Sequence, residues 1–477
     1  MIGNSILLWA TRFLRVVSAL LAFAIVPGSL AQSATAHNEQ VLYSFQGLPN
    51  DGAQPVGAVV FDTAGNLYGA TAEGGSSSCP SIQQCGTVYE LSPPAVKGEP
   101  WTETVLYVFK GNKFNDGTSP YGGLVIDSAG NLYGTTGYGA TGNCVLVGIL
   151  VGCGAVYELS PPAQKGGTWT EQVLYSFPTP KEGYVPAGDL AFDSSGNLYG
   201  ATFFGGGYGT TCDEFYQYCG AIFELSPPLQ KGSSWTEQTL YGFKGTARGV
   251  LTGDGGSPNG GLIFDTAGNI YGTTMDGGFA GGECWGVGQG GPGCGTVFRL
   301  VPPVKQGQPW SEEILHSFNG QDGAAPYAGV VFGPNGDLFG SAFAGGFTTA
   351  GTIFELQPLG NGHSWAEQTL HIFSDGWDGS NPAARLTFDA VGNLYGTTRM
   401  PTNTNAKGTA FRMSQSGQSN VFGFDLIYTF RNIPDGEDPA SPLIFNKEGN
   451  LYGTTQYGGT GATCNSQGCG TIFVVKQ

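Results

Sequence analysis

Phe61-Asp62-Thr63-Ala64-Gly65-Asn66-Leu67-Tyr68-Gly69 is one copy of a phrase that occurs seven times in this 477-residue chain. It returns at Ile126–Gly134, Phe192–Gly200, Phe264–Gly272, Phe332–Gly340, Phe388–Gly396 and Phe445–Gly453. The glycine ahead of Asn or Asp falls at Gly65, Gly130, Gly196, Gly268, Gly336, Gly392 and Gly449, so the period runs from 56 to 72 residues. Self-similarity at such a period means one supersecondary unit repeated in an array, which overrides the several domains that length alone suggests.

The second unit shows what is repeated. Gly123-Leu124-Val125-Ile126 is a short apolar run suited to a buried strand. Asp127-Ser128-Ala129-Gly130 then turns the chain, with Gly130 at the position that needs positive φ. Asn131 to Thr135 forms the next strand, and a long Gly/Cys loop leads to a third at Gly154–Leu159. Ser160-Pro161-Pro162 ends that strand, and Trp169–Phe177 alternates as an outer strand with one wet face. Four short antiparallel strands per unit in seven units, with no helical period after residue 36, predict an all-β, seven-bladed β-propeller over residues 37–477.

The ends of the repeat array predict how the ring closes. The chain opens on an unpaired outer strand at Gln40–Phe45 and ends on a third strand, Gly470–Val475, with no outer strand behind it. The N-terminal strand therefore completes the last blade and removes the open edge.

Gly (82) and Pro (28) are abundant but show no triple-helical period, and the aromatic content excludes a low-complexity chain. Residues 1–36 read as a signal peptide. Arg12 and Arg15 precede the apolar run Val16–Val26, which is too short to span a bilayer, and Ser29–Ala31 or Ala34–Ala36 offers a cleavage site. Its removal makes the formal charge of −17 two units more negative, which argues against nucleic acid and anionic membrane as partners. The ten cysteines fall in five local pairs: Cys79/Cys85, Cys144/Cys153, Cys212/Cys219, Cys284/Cys294 and Cys464/Cys469. Each pair sits between the second and third strands of its unit, and two units lack both members, the pattern disulfides require. A secreted or periplasmic monomer without a transmembrane segment is expected.

The phrases Asn131–Thr136, Gly295–Phe298 and Leu174–Phe177 resemble the GloVer tandem repeat of exported bacterial proteins, over residues 40 to 477. Members are known as choice-of-anchor proteins because different C-terminal anchors follow the repeats. This chain stops two residues after Val475 without such a tail, so an unanchored exported form is expected. The resemblance implies no activity and no catalytic residues. The inner-strand and turn pattern is also similar to NHL-type and lactonase-type propellers, a likeness of fold only.

Strand order puts the outer-to-inner and second-to-third connections on one face, which is where ligands are expected. An Asp-Gly motif enters the inner strand at Asp51, Asp116, Asp254, Asp322, Asp378 and Asp435, with Glu182 in the third unit. It reads as turn chemistry or as an acidic ring able to take calcium. At one inner-strand position the units carry Ala58, Gly123, Asp189, Gly261, Gly329, Arg385 and Pro442. Asp189 and Arg385 are opposite charges among small residues, either a solvated rim pair or a polar ligand site. Loop aromatics form a third candidate: Phe203, Phe204, Tyr208, Phe215, Tyr216 and Tyr218, then Phe279 and Trp285. They can stack on sugar rings or cover the disulfides. Nearby Asp213, Glu214, Asp276 and Glu283 are available for glycoside chemistry, though no repeatable constellation marks two of them.

Three readings follow. The favoured one is a non-catalytic exported propeller whose loop face binds carbohydrate or protein. The second is a propeller hydrolase or lyase acting on carbohydrate or lactone, with convergent carboxylates in a deep pocket. The third is a structural envelope component with a flat loop face.

Overall fold

The computed structural model describes residues 39–477 apart from 77–84, 112, 114, 147, 165, 207–218, 231–232, 246–252, 279–292, 306, 361, 375, 401–406, 416–420, 432, 462 and 465–466. The signal peptide expected at residues 1–36 lies outside the described residues. Seven antiparallel sheets form the ring of a seven-bladed β-propeller. Blades 1 to 7 are numbered here by the order of their turn glycines. In blade 1 the inner, second, third and outer strands are Gly52–Phe61, Leu67–Gly74, Thr87–Ser92 and Thr102–Val108. Blade 7 takes Ile444–Phe445, Leu451–Thr455 and Thr471–Val475 from the end of the chain and Glu39–Ser44 from its start. The closing pair is antiparallel, with Glu39 opposite Val475 and Ser44 opposite Thr471, as expected.

The turn phrase folds as its residues demand. Gly65 N–H donates to Asp62 O, Asp62 N–H donates to Asn66 O, and Gly65 sits at φ 91°. Asp62 does more than the sequence suggested. Its carboxylate accepts from Ala64 N, Asn66 N and Asn66 Nδ2 at 2.8–2.9 Å and from the Tyr68 hydroxyl at 3.3 Å. Blade 5 replaces this Asp by Gly333 and the tyrosine by Phe339, so acceptor and hydroxyl are lost together.

Blades are held to one another by rings. On each third strand an aromatic (Tyr89, Tyr157, Phe223, Phe298, Phe354, Phe411 or Phe473) meets the phenylalanine that ends the preceding blade's outer strand. The pairs run from Phe45–Tyr89 at 5.0 Å to Phe430–Phe473 at 4.9 Å, edge to face. The third-strand ring lies over the glycine of the second strand. A Cβ at Gly340 would stand 2.4 Å from Phe354 Cζ, and one at Gly69 would stand 2.3 Å from the Tyr89 hydroxyl. That glycine is required by contact, not by backbone angle.

The inner strand is longer than the apolar run predicted. It begins at the Asp-Gly motif and is interrupted midway, as in blade 2, where Gly117–Pro120 and Val125–Ile126 pair with one second strand. Ahead of that interruption each inner strand carries a left-handed residue: Gln54, Ser119, Val185, Ser257, Ala325, Asn381 and Asp438 all have φ between 51° and 62°. Alternation fails there, so the upper half reads as loop.

Gly340→Ala is expected to lose roughly 1–3 kcal/mol through overpacking, and Phe318→Ala roughly 3–5 kcal/mol through the cavity it leaves. Urea unfolding of each variant against the parent measures both, and an unchanged midpoint for Gly340→Ala would refute the ring-over-glycine account.

Candidate functional site

The channel opens on the predicted loop face into a cavity of about 530 Å³. Three of the left-handed residues, Gln54, Ser119 and Val185, line it, and a bond across each blade boundary holds all seven. Gln54 N–H donates to Cys469 O at 2.8 Å, Ser119 N–H to Cys85 O, Val185 N–H to Cys153 O, Ser257 N–H to Cys219 O and Ala325 N–H to Cys294 O. Each of these five carbonyls belongs to the second cysteine of a predicted pair. Cys144–Cys153 and Cys464–Cys469 are disulfides, and Cys85, Cys219 and Cys294 are disulfide-bonded as well. Cys79, Cys212 and Cys284 lie outside the described residues. Where blades 5 and 6 lack cysteines, Ala350 O and Lys407 O accept the same bond from Asn381 and Asp438. The disulfides thus fix the strand start that positions the next blade's rim residue.

The wall of the cavity is uneven. Tyr121, Tyr138, Phe203, Phe204 and Tyr327 make an aromatic side. Phe203 and Phe204 pack edge to face at 4.6 Å, Phe204 stacks on Tyr184 at 5.1 Å, and Tyr121 meets Tyr138 at 6.2 Å. Partial burial, with Tyr138, Tyr327 and Glu73 as neighbours, pushes the Tyr121 phenol up to about 12. The polar side holds Gln54, Glu73, Arg399 and Gln456. Burial raises the Glu73 carboxyl above its ordinary range. Arg399 grips Asp438 with two bonds of 2.5 Å and reaches Gln456 Oε1 at 3.1 Å, so its fork is engaged by protein.

Asp189 and Arg385 do meet, as their places on blades 3 and 6 suggested. Arg385 Nη2 lies 3.6 Å from Asp189 Oδ2 across the channel, and Asp189 Oδ1 accepts from Gly123 N at 2.8 Å. Of the loop aromatics, Phe203 and Phe204 line the cavity, whereas Tyr208, Phe215, Tyr216, Tyr218, Phe279 and Trp285 lie outside the described residues, as do Asp213, Glu214 and Glu283. Asp276 is buried. Sequence reasoning missed Tyr121 and Tyr327, which follow the conserved-looking proline of the inner strand, and Tyr138 and Arg399 at the end of the second. The signal was available, because these positions vary after a constant stem.

The Asp-Gly carboxylates are occupied by protein donors. Asp51 accepts from the Tyr43 hydroxyl at 2.8 Å, Gln46 N at 2.7 Å and Gly52 N at 2.6 Å. Asp116, Asp254 and Asp435 repeat the arrangement with Tyr107, Tyr241 and Tyr428. His316 and His371 take the tyrosine's place, each ring Nε2 lying 3.1 Å from Asp322 or Asp378, and Asp378 also accepts from the Ser374 hydroxyl. These contacts are the turn chemistry expected of the motif. Among the described residues no group of three or more His, Cys, Asp or Glu could hold a metal ion.

Outer-strand glutamates crowd these aspartates. Burial first, and then Asp254, pushes Glu312 up to about 8; burial and Asp51 do the same to Glu103. Glu39 and Glu171 rise to about 7 for the same reasons, with Asp435 and Asp116 as neighbours. One oxygen of each of the four is buried without a hydrogen-bond partner among the described residues. A neutral carboxyl tolerates that burial far better than a charged one. In the folded state Glu312 holds its proton to about 8, and in the unfolded chain it releases it near 4.5. Its contribution to stability is therefore complete below about 4.5 and lost as pH rises to about 8. Glu312→Gln is expected to gain stability relative to the parent as pH rises through that window. Thermal melts of both proteins at pH 5 and pH 9 measure the difference, and a constant gap would exclude it.

No helix among the described residues is long and apolar enough to cross a membrane. No curated protein matches the chain. Among solved structures, an ulvan lyase, described as a polysaccharide lyase and bound to GlcA(1-4)Rha3S, aligns at TM-score 0.50 and 11% identity, covering 92% of this chain and 96% of its own. An α-L-arabinanase of Penicillium chrysogenum with arabinobiose aligns at TM-score 0.42 and 13% identity, covering 92% and 98%. PorZ, a surface component of the type-IX secretion system of Porphyromonas gingivalis, aligns at 0.46 and 13%, covering 88% of this chain and 46% of its own. At these identities the likeness is one of fold alone. The sequence match is of another order: the model of the Gloeobacter/Verrucomicrobia repeat covers residues 27–207 and 282–477, and the chain belongs to that family.

Proposed function

We propose that this protein is an extracytoplasmic binding propeller that takes carbohydrate at the mouth of its channel. The observation that carries the reading is the pairing, in one cavity of about 530 Å³, of an aromatic wall with polar side chains. Tyr121 and Tyr327 offer flat apolar faces to the C–H surface of a sugar ring, while Gln54, Glu73 and Asn259 offer donors and acceptors to its hydroxyls. The volume falls within the roughly 300–1,000 Å³ of small-ligand pockets. An envelope component with only a structural role has no need of such a cavity.

Binding is favoured over turnover by the state of the carboxylates. Among the described residues the cavity is lined by two, Glu73 and Asp189, and Asp189 is tied to Gly123 N and to Arg385. Two-carboxylate glycoside chemistry needs both groups directed at one bond. Export is supported by the N-terminal pattern and by the disulfides, which persist in oxidising compartments.

Titration calorimetry against a panel of oligosaccharides tests the reading. Tyr121→Ala and Tyr327→Ala are each expected to weaken binding roughly tenfold, the loss of one stacking face. Saccharide affinity unchanged in both variants, or no affinity in the parent, would remove the proposal.

A further inference from the structure

We propose that Asp189 and Arg385 form the polar floor of the mouth and read two neighbouring hydroxyls on a neutral sugar at the end of a chain. This rests on the carbohydrate reading above and names which part of the saccharide enters. The deepest cavity-lining residues of the inner strands include Asp189, Gly261, Gly329, Arg385 and Pro442, and no residue further along those strands lines it. Four of the seven blades carry Ala or Gly at this position, and Pro442 a fifth uncharged residue. The Arg385 side chain crosses the channel from blade 6 and fills the space beyond Gly261 on blade 4. A Cβ added at Gly261 would lie 3.2 Å from Arg385 Nη1 and 3.3 Å from Asp189 Cβ. The pair therefore forms the lower limit of the cavity's lining, the floor on which the end of a glycan would rest.

The pair is chemically incomplete. At 3.6 Å the guanidinium and carboxylate attract each other without forming a hydrogen bond. Asp189 Oδ1 is used by Gly123 N, and among the described residues the ion pair is the one polar contact of Oδ2. Arg385 donates no hydrogen bond to a described residue, and its side chain is 30% exposed. Arg399 is the contrast within the same cavity, its fork filled by Asp438 and Gln456. An acceptor and several donors side by side match a vicinal diol, in which one hydroxyl donates to Oδ2 and its neighbour accepts from the guanidinium. The pair carries no net charge, so an anionic group would lose to Asp189 what it gains from Arg385, and the terminal sugar that fits both is uncharged.

The test uses the full mature protein and two variants, Asp189→Gly and Arg385→Gly. Both install the residue that blades 2, 4 and 5 carry at this position, which favours normal folding, and a thermal melt verifies it. Calorimetry with linear neutral xylo-, arabino-, galacto- and gluco-oligosaccharides identifies the best binder. That sugar is then measured as its long polymer at equal mass, where chain ends are scarce, and with its terminal sugars oxidised to uronates. The expected result is affinity that follows the concentration of chain ends, with roughly tenfold or greater loss in each glycine variant and on oxidation, as for a hydrogen bond to a charged group. Affinity that follows sugar mass, or glycine variants that bind like the parent while Tyr121→Ala does not, would overturn the end-reading and leave the carbohydrate reading standing. A parent that binds no saccharide would overturn both.

Discussion

The contact on which this propeller depends is a phenylalanine edge set against a third-strand ring across each blade boundary. Phe45–Tyr89, Phe109–Tyr157, Phe177–Phe223 and their four counterparts all lie at centroid distances between 4.9 and 5.5 Å. Each contributes roughly 0.5–1.5 kcal/mol beyond the apolar area it buries. The geometry has two requirements. The second strand must carry glycine under the ring, and the donor phenylalanine must come from the blade before. No blade can satisfy its own core, which is why the units close into a ring. The first strand of the chain matters for the same reason: in completing blade 7 it also delivers Phe45 to Tyr89 of blade 1.

A second set of boundary contacts converts this packing into a defined mouth. The carbonyl of the second cysteine in each pinned loop holds the left-handed residue at the start of the following blade. Such a conformation is uncommon for a non-glycine residue, and for β-branched Val185 it is a real departure from preference. It persists because a partner on the neighbouring blade holds it. Disulfide formation and site geometry are thereby linked, since oxidation of the loops positions residues that lie on another blade. Boundary 5/6 shows how far the pattern bends. Phe424 replaces the outer-strand glutamate, and His371, standing in for tyrosine, stacks on it at 4.1 Å while keeping its contact with Asp378.

Blade count, strand order, closure and the placement of the cysteine loops were legible in the sequence because each is a consequence of spacing. The turn phrase marks every first hairpin, and the orphan strands at the two ends have one way to pair. The upper half of each inner strand was not legible. A positive-φ residue next to a proline breaks the alternation that identifies a strand, and nothing in Ser119 or Val185 announces the neighbour's carbonyl that stabilises it. Asp62 was undervalued for a similar reason, since a hydrogen bond to Tyr68, six residues away, is invisible to local turn rules. Of the candidate site, Asp189 and Arg385 could be found because charge stands out among glycines. Tyr121 and Tyr327 were passed over although their position varies after a constant proline, because each reads as one more tyrosine in a chain rich in them.

In a seven-fold scaffold, asymmetry has to be added against the repeat, and its location carries information. The floor position holds one acid and one base, and both belong to the mouth. Had they served only stability, a direct bidentate bond like that of Arg399 with Asp438 would be the expected arrangement, because a half-buried pair gains little without hydrogen bonds. Instead the more exposed of the two arginines is the one that donates no hydrogen bond to a described residue. The Asp189 carboxylate is held by a backbone N–H from blade 2, which fixes one oxygen and leaves the other turned toward Arg385. A charge pair kept slightly apart, anchored on one side and facing a cavity with an aromatic wall, is better suited to receiving a polar ligand than to holding two blades together.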